Sequence, residues 1–176
     1  MIDFLYILFK LRMKKSGVII NSRLASHHAK YGQNSRVEHD VYIGDDVTLG
    51  RYSYVNPYAS IENCKIGNFC SISENVHISP FNHNKKFVST HPFLFNKYYG
   101  FVKENVNLKT DKGGTLIGND VWIGLNVIVM ENCSIGDGAI IAAGSVVTHD
   151  IPAFEIWGGI PARKMGDRFQ NSEKEI

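Results

Sequence analysis

An aliphatic residue returns at every sixth position along most of this chain of 176 residues. The series comprises Val37, Ile43, Leu49, Val55, Ile61, Ile66, Ile72, Ile78, Ile117, Ile123, Val129, Ile135, Ile141 and Val147, with one five-residue step before Ile66. A strand repeats its apolar residues at every second position, and a helix at every third or fourth. A period of six, often with glycine after the aliphatic, indicates one short strand and one corner per repeat.

Three such repeats predict a triangular coil of about 18 residues, and coils stacked about 4.8 Å apart pair their backbone groups and bury the aliphatic residues. Four residues after each aliphatic stands a small or compact residue, for example Ala59, Cys70, Cys133 or Ala139. We interpret these two cysteines as core residues. The prediction is an all-β, parallel β-helix over residues 17–162, followed by a C-terminal tail or short helix over 163–176.

The period stops between residues 80 and 115. Loops of this length within a compact domain are usually functional or disordered. This one is rich in aromatic residues, which argues against disorder. The aromatic residues are Phe81, Phe87, Phe93, Phe95, Tyr98, Tyr99 and Phe101. We therefore expect an ordered insertion that serves the function.

The stretch "IGNDVWIGLNVIVMENCSIGDGAIIAAGSVV" resembles the hexapeptide-repeat acyltransferases. The segments "NHNKKFVSTHPF", "GDGAIIAAGSVVTHDIP" and "GGIPARK" are similar to the xenobiotic and chloramphenicol type-B branch and its sugar O-acetyltransferase relatives. This resemblance extends from about residue 31 to 169. It implies a left-handed β-helix, acetyl-CoA as co-substrate, no metal, and a homotrimer with sites at subunit interfaces.

Transfer of an acyl group to a hydroxyl needs a base that is neutral near pH 7, and histidine suits this role. The resemblance places that base at His83, which follows Asn82 at the start of the insertion. His91 is the alternative, but Pro92 favours an extended backbone there and hence a structural role in the loop. The sequence leaves open whether a backbone carbonyl or a carboxylate such as Glu104 orients His83.

The coenzyme is expected to lie against backbone and small residues of the coils, because the sequence has no glycine-rich nucleotide-binding motif. The resemblance assigns this site to Trp122, Gly124, Ala142, Ala143, Thr148, Arg163 and Lys164. The two cations would contact its phosphates. Relatives commonly carry basic residues where this chain has His149 and "MGDRF", so weaker phosphate contacts are expected.

A formal charge of +2, with charged residues of both signs interspersed, gives no basic stripe for nucleic acid. The three cysteines fit neither a disulfide framework nor a C-x-x-C metal site, which favours a reducing cytoplasm. A zinc carbonic anhydrase on the same fold would need three converging histidines. His83 and His91 lack such a third partner in the insertion.

Residues 1–16 are predicted to form an amphipathic helix in which an apolar run precedes Lys10, Arg12, Lys14 and Lys15. The run is too short to span a bilayer, which takes roughly 20 residues. One interpretation packs this helix on its own protein or on a neighbouring subunit. The other places residues 1–15 on the inner face of the membrane.

Together these features predict an acetyl-CoA-dependent O-acetyltransferase that acts on a sugar hydroxyl, in surface polysaccharide biosynthesis. Acetylation of an antibiotic such as chloramphenicol or a streptogramin would use the same chemistry. A non-catalytic β-helix that serves as a binding module is the third hypothesis, but it would not explain the Asn-His element in the insertion.

Overall fold

The computed structural model describes residues 4–80, 83, 87–106 and 113–169. The chain divides into two compact units. The larger unit comprises Met1–Pro80 and Gly114–Ile176, and the smaller one comprises the insertion, Phe81–Gly113.

The larger unit is a parallel β-helix with three sheets, in which almost every strand has two or three residues. Sheet A contains β1 (Ile19–Ile20), β3 (Arg36–Val37), β6 (Tyr54–Val55), β9 (Ser71–Ile72), β12 (Trp122–Ile123), β15 (Ile140–Ile141), β17 (Glu155–Gly158) and β18 (Arg163–Asp167). Sheet B contains β4 (Tyr42–Ile43), β7 (Ser60–Ile61), β10 (His77–Ile78), β13 (Ile128–Val129) and β16 (Val146–Val147). Sheet C contains β2 (Lys30–Tyr31), β5 (Thr48–Leu49), β8 (Cys64–Ile66), β11 (Thr115–Ile117) and β14 (Ser134–Ile135). The predicted all-β hexapeptide-repeat helix is confirmed.

The period-six residues form the core because each is the inward-facing residue of its strand. Val37, Val55, Ile72 and Ile123 have no exposed surface. The residue before each of them in the strand points outward, as Trp122 does before Ile123. The small residues at the other predicted positions are buried as well, and the three cysteines are free and buried. Burial raises the pKa of all three thiols, so none of them is prepared for nucleophilic chemistry.

Side chains of successive coils satisfy the backbone where the chain leaves sheet C. The Asn68 side chain accepts a hydrogen bond from Arg51 N, and the Asn119 side chain accepts one from Asn68 N, each at 2.9 Å. Asp137 accepts from Asn119 N at 2.5 Å. The corners lack the regular backbone hydrogen bonds of the strands. These side-chain oxygens therefore accept hydrogen bonds from N–H groups that would otherwise be unpaired.

The insertion replaces one corner between sheet B and sheet C without disturbing the coil. The insertion begins after β10 and ends before β11. Thr115 of β11 pairs with Cys64 of β8, so β11 continues the parallel pairing of sheet C. The buried side chains of Ser79 and Thr115 form a hydrogen bond of 2.6 Å where the chain leaves and re-enters. The β-helix therefore keeps its register across the interruption.

Helix α1 (Phe4–Lys15) packs over the first coil. Phe9 is buried in the core against Tyr31, with ring centroids 5.9 Å apart, and Tyr6 and Met13 pack beside it. The helix ends at Lys15, and Gly17 follows with a φ of +69°, which suits the left-handed turn after a helix. No described helix is long and apolar enough to cross a membrane.

The C-terminal segment differs from the expected tail or short helix. Residues Arg163–Asp167 form β18, which pairs antiparallel with β17. Among the residues that the structure describes, no further coil covers the outer edge of β17, so β18 satisfies backbone groups that would otherwise be unpaired there. Arg168 then reaches back to Asp120, at 2.7 Å, and to the Gly138 carbonyl, at 3.1 Å. Residues 170–176 lie outside the described residues.

Candidate functional site

His83 lies at the start of the insertion, and a backbone carbonyl orients its imidazole. Its Nδ1 atom is 2.6 Å from the carbonyl oxygen of Thr90. A carbonyl oxygen can only accept a hydrogen bond, so Nδ1 carries the proton, and the neutral ring has its lone pair on Nε2. This arrangement selects the tautomer in which Nε2 of the neutral ring can accept a proton, as a general base requires. Asn82 lies outside the described residues.

His91 has a different role within the insertion. Its backbone is extended, as Pro92 favours, and its Nδ1 accepts a hydrogen bond of 3.2 Å from Phe93 N at the start of a short 3₁₀ helix, Pro92–Leu94. The ring meets Tyr99 edge to face, with centroids 4.6 Å apart. A second 3₁₀ helix, Lys97–Tyr99, follows. His91 thus links the two short helices, and its contacts are those of a structural residue.

Three of the predicted coenzyme residues, Gly124, Ala142 and Ala143, lie together on the turn that leaves sheet A. We call this turn, together with Gly158, corner A. Gly124 N donates to Ile141 O, and Ala142 N donates to Trp157 O. The turns are therefore stacked along the helix axis. Gly158 was not predicted as a site residue, although it opens the "GGIPARK" segment.

Corner A is lined by small residues because its coils approach closely. A Cβ atom on Gly124 would lie 2.7 Å from Ala143 N, and one on Gly158 would lie 3.0 Å from the Ala142 Cβ. The Ala143 side chain is exposed. Trp122, the outward residue of β12, is 53% exposed next to this turn. The corner thus offers accessible backbone and small side chains along a line, with an indole ring beside it.

Arg163 and Lys164 pair with Gly158 and Trp157 across the β17–β18 hairpin, which places them at the C-terminal end of corner A. Lys164 forms ion pairs with Glu155, at 2.7 Å, and with Asp167, at 2.9 Å. The bonds to these carboxylates, Glu155 first, raise the pKa of Lys164. Lys164 and the Trp157 indole in turn lower the pKa of Glu155.

Arg163 differs from Lys164 in its contacts. Its guanidinium donates to the Ala162 carbonyl at 2.8 Å. Within the described part of the chain, Arg163 forms no ion pair with a carboxylate. Of the two predicted phosphate contacts, Arg163 is therefore the one whose charge no described carboxylate compensates. Glu155, which compensates Lys164, was missed because the ion pair depends on the hairpin.

Thr148 lies on a different corner from Gly124 and Ala142. It follows β16 on sheet B, and its hydroxyl is 2.8 Å from Nδ1 of His149. The segment after corner A crosses above β16, since Ala162 N donates to Val146 O. The structure thus places Thr148 near the end of the β-helix, but on the turn that leaves sheet B.

A cavity of about 460 Å³ lies on sheet A towards its N-terminal end. It is lined by Asn34, Arg36, Glu38, Tyr52, Ser53, Tyr54 and Asn56. Arg36 and Glu38 form an ion pair there, and a hydrogen bond from Asn21 is the main reason that the pKa of Glu38 is lowered. This cavity could not be predicted from the sequence, because outward-facing residues follow no period.

A larger groove, of about 610 Å³, runs along sheet C and contains none of the predicted site residues. Two carboxylates on its wall already accept hydrogen bonds from the backbone, Asp137 from Asn119 and Asp150 from Ser134. Their negative charge disfavours a ligand that carries phosphates. Corner A has no such carboxylate among its residues, so we consider it the better candidate for the coenzyme.

Comparisons with known proteins agree with this architecture. The family model described as "Bacterial transferase hexapeptide (six repeats)" matches residues 114–149. A chloramphenicol acetyltransferase of Agrobacterium fabrum is 33% identical over 145 residues, which make up 72% of this chain and 69% of that protein. The galactoside O-acetyltransferase of Escherichia coli is 33% identical over 146 residues, with 77% of this chain and 62% of that protein covered.

A solved structure with the same fold is a mutant of AntD, an N-acyltransferase from Bacillus cereus, in complex with dTDP and coenzyme A. It superposes with a TM-score of 0.66 at 22% identity, and covers 94% of this chain and 92% of that chain. The likeness to this structure concerns the fold alone. The relatives with higher identity identify the class: the chain belongs to the hexapeptide-repeat family of acetyltransferases.

Proposed function

We propose that this protein is an acetyl-CoA-dependent O-acetyltransferase that acts on a sugar hydroxyl, with His83 as the general base. The observation that carries the proposal is the hydrogen bond between His83 Nδ1 and the Thr90 carbonyl, which leaves the lone pair of the neutral imidazole on Nε2. The likeness to a galactoside O-acetyltransferase supports a sugar acceptor, and the chain spans about three fifths of that relative.

In this proposal bound acetyl-CoA supplies the thioester carbonyl, and His83 moves the proton. Nε2 removes the proton from the acceptor hydroxyl as its oxygen bonds to the carbonyl carbon. The carbon–sulfur bond then breaks, and the imidazolium returns the proton to the sulfur. Backbone N–H groups are the expected donors to the oxygen on which negative charge develops. The Thr90 carbonyl stabilises the imidazolium during transfer because it accepts from Nδ1 in both protonation states.

We propose that the coenzyme lies along corner A, with Trp122 and Gly124 near its thioester and Ala142 and Ala143 along the pantetheine arm. An extended amide-bearing chain fits a line of small side chains with accessible backbone. At the end of the corner, Arg163 is proposed as the main phosphate contact. Lys164 contributes less, because Glu155 and Asp167 already compensate its charge. Thr148 is proposed near the nucleotide from the neighbouring corner.

Replacement of Ala143 by Trp tests this assignment. The exposed Cβ of Ala143 points away from the core, so the larger ring should fold normally but fill the proposed groove. We expect the dissociation constant of coenzyme A, measured by calorimetry, to rise at least about tenfold. Ala153→Trp is the matched control, because Ala153 is an exposed alanine on the corner after sheet C. Equal effects of the two substitutions would contradict the placement of the coenzyme.

The acceptor class is tested with purified protein, acetyl-CoA and a panel of nucleotide sugars, oligosaccharides, chloramphenicol and a streptogramin, with release of free thiol as the signal. We expect turnover with a sugar. Turnover with an antibiotic alone would favour the xenobiotic branch, which the Agrobacterium fabrum relative represents. Binding of a sugar without thiol release from any member of the panel would support the non-catalytic β-helix instead.

We further propose a homotrimer, since one β-helix provides only one wall of a groove for the coenzyme. The proposed setting is surface polysaccharide biosynthesis in the cytoplasm, with residues 1–15 in peripheral contact with the inner face of the membrane. The support for this contact is the basic, apolar composition of the first helix.

A further inference from the structure

Helix α1 leaves an aliphatic face uncovered. Its inward side is occupied by Phe9, Tyr6 and Met13, which pack on the first coil. On the opposite side Ile7, Leu8 and Leu11 are 40%, 46% and 57% exposed. Since one turn of an α-helix takes 3.6 residues, these three side chains lie next to one another on one surface. We call this surface the outer face of α1.

Positive charge surrounds the outer face. Lys10 and Lys14 follow one edge and Arg12 the other, by the 100° rotation between successive residues, and Lys15 lies at the C-terminal end. The sequence from Phe4 to Lys15 contains no acidic residue. A helix that only covered the end of the core would be expected to present mixed polar residues to water. The composition of this face therefore indicates a partner that is apolar and negatively charged.

We propose that the outer face of α1 docks on a lipid bilayer surface that contains anionic lipids. The inference rests on the membrane contact proposed above and not on the acyl transfer, and it names the surface and the charge of the lipid. Leu8 and Leu11 insert between the acyl chains just below the headgroups, while the four basic side chains contact phosphates. The inward residues stay on the β-helix, so the helix lies in the plane of the interface.

A second copy of the chain fits the outer face less well than a bilayer does. Two such faces in contact would bring eight cations together, four from each copy, with no carboxylate in either helix. Exposed aliphatic residues elsewhere on the β-helix, such as Leu24 and Leu116, lie in other elements of the fold. Charge complementarity therefore favours the lipid surface.

The test uses the full-length protein and sedimentation with vesicles of phosphatidylcholine that contain phosphatidylglycerol, at low salt. Leu11→Glu should lower the partition coefficient at least about tenfold, because it removes an inserted side chain and adds a charge of the same sign as the lipid. Leu24→Glu is the matched control, since Leu24 is 56% exposed but lies outside the helix. It should change the partition coefficient less than about twofold.

The experiment also varies the salt concentration and the lipid composition of the vesicles. Vesicles of phosphatidylcholine alone, or high salt, should weaken binding of the unmodified protein at least about tenfold, since each basic residue near an anionic surface contributes roughly fivefold. Circular dichroism should show that both variants are folded. Light scattering should give the mass of the proposed homotrimer, about 60 kDa, for both of them.

Three outcomes would overturn the inference. The first is that unmodified protein does not sediment with the anionic vesicles, and the second is that Leu11→Glu sediments as well as Leu24→Glu. The third is that Leu11→Glu lowers the mass in solution, which would make the outer face a contact between subunits. Thiol release with a soluble acceptor is measured in parallel. If the unmodified protein binds the vesicles but releases no thiol, the proposed acyl transfer is rejected and the membrane inference stands.

Discussion

His83→Ala is expected to lower kcat by about 10²- to 10⁴-fold, the usual contribution of a positioned general base. The physical reason is that the imidazole proposed to take the proton from the acceptor hydroxyl is then absent. The dissociation constant of coenzyme A should stay within about twofold, because the proposed coenzyme residues belong to the β-helix and not to the insertion. Steady-state kinetics and calorimetry measure the two quantities.

His91→Ala is the matched control within the same unit. His91 holds Phe93 N and packs on Tyr99, so its loss should loosen the insertion. The expected result is a higher KM or a lower melting temperature, with a decrease in kcat of less than about tenfold. Near-normal turnover of His83→Ala, combined with the main loss of kcat in His91→Ala, would reverse the two assignments.

His83→Asn separates the base from the hydrogen bond that orients it. The asparagine amide nitrogen lies as many bonds from Cα as Nδ1 does, so it can still donate to the Thr90 carbonyl and keep the insertion in place, but it cannot take up a proton near pH 7. We expect kcat to fall as far as in His83→Ala, while the melting temperature stays closer to that of the unmodified protein. An asparagine variant that kept most of its turnover would show that position 83 orients the acceptor only.

The fold was predictable because the core of a β-helix depends on a local rule. Each short strand contributes one inward residue, so positions such as Ile72 and Ile123 repeat at a fixed step without reference to distant parts of the chain. The alignment of Gly124 with Ala142 also follows from this rule, since 18 residues make one coil. The same arithmetic would have placed Thr148, six residues further on, at the next corner.

The remaining features depend on contacts that the period does not encode. Lys164 was expected to be available to phosphates, but the hairpin of β17 and β18 brings Glu155 to it from nine residues away. That hairpin forms where the coils end, so the repeat gave no signal for it. The hydrogen bond between His83 and the Thr90 carbonyl could not be predicted either. Every residue has a carbonyl, and only the fold of the insertion determines which one lies beside the imidazole.

Gly67→Ala is expected to lower the free energy of unfolding by about 3 kcal/mol, at the upper end of the usual range for overpacking. The Cβ atom would lie 2.4 Å from the carbonyl oxygen of Gly118 on the next coil. Both backbones are held by the ladder, since Gly67 N donates to Ile117 O and Gly118 N donates to Ile135 O, each at 2.8 Å. To relieve the contact, one coil must move and weaken these bonds.

The measurement is thermal or urea unfolding followed by circular dichroism. A loss of about 3 kcal/mol corresponds to a decrease of roughly 6 to 12 °C in Tm for a domain of this size. Gly166→Ala is the matched control, because no described atom beyond its own chain neighbours lies within 4 Å of the added Cβ. It should leave stability within about 0.5 kcal/mol. Equal Tm values for the two variants would show that the coils are further apart at Gly67 than the structure indicates. The same result would remove the support for close packing at Gly124 on corner A, which is inferred from the same kind of contact.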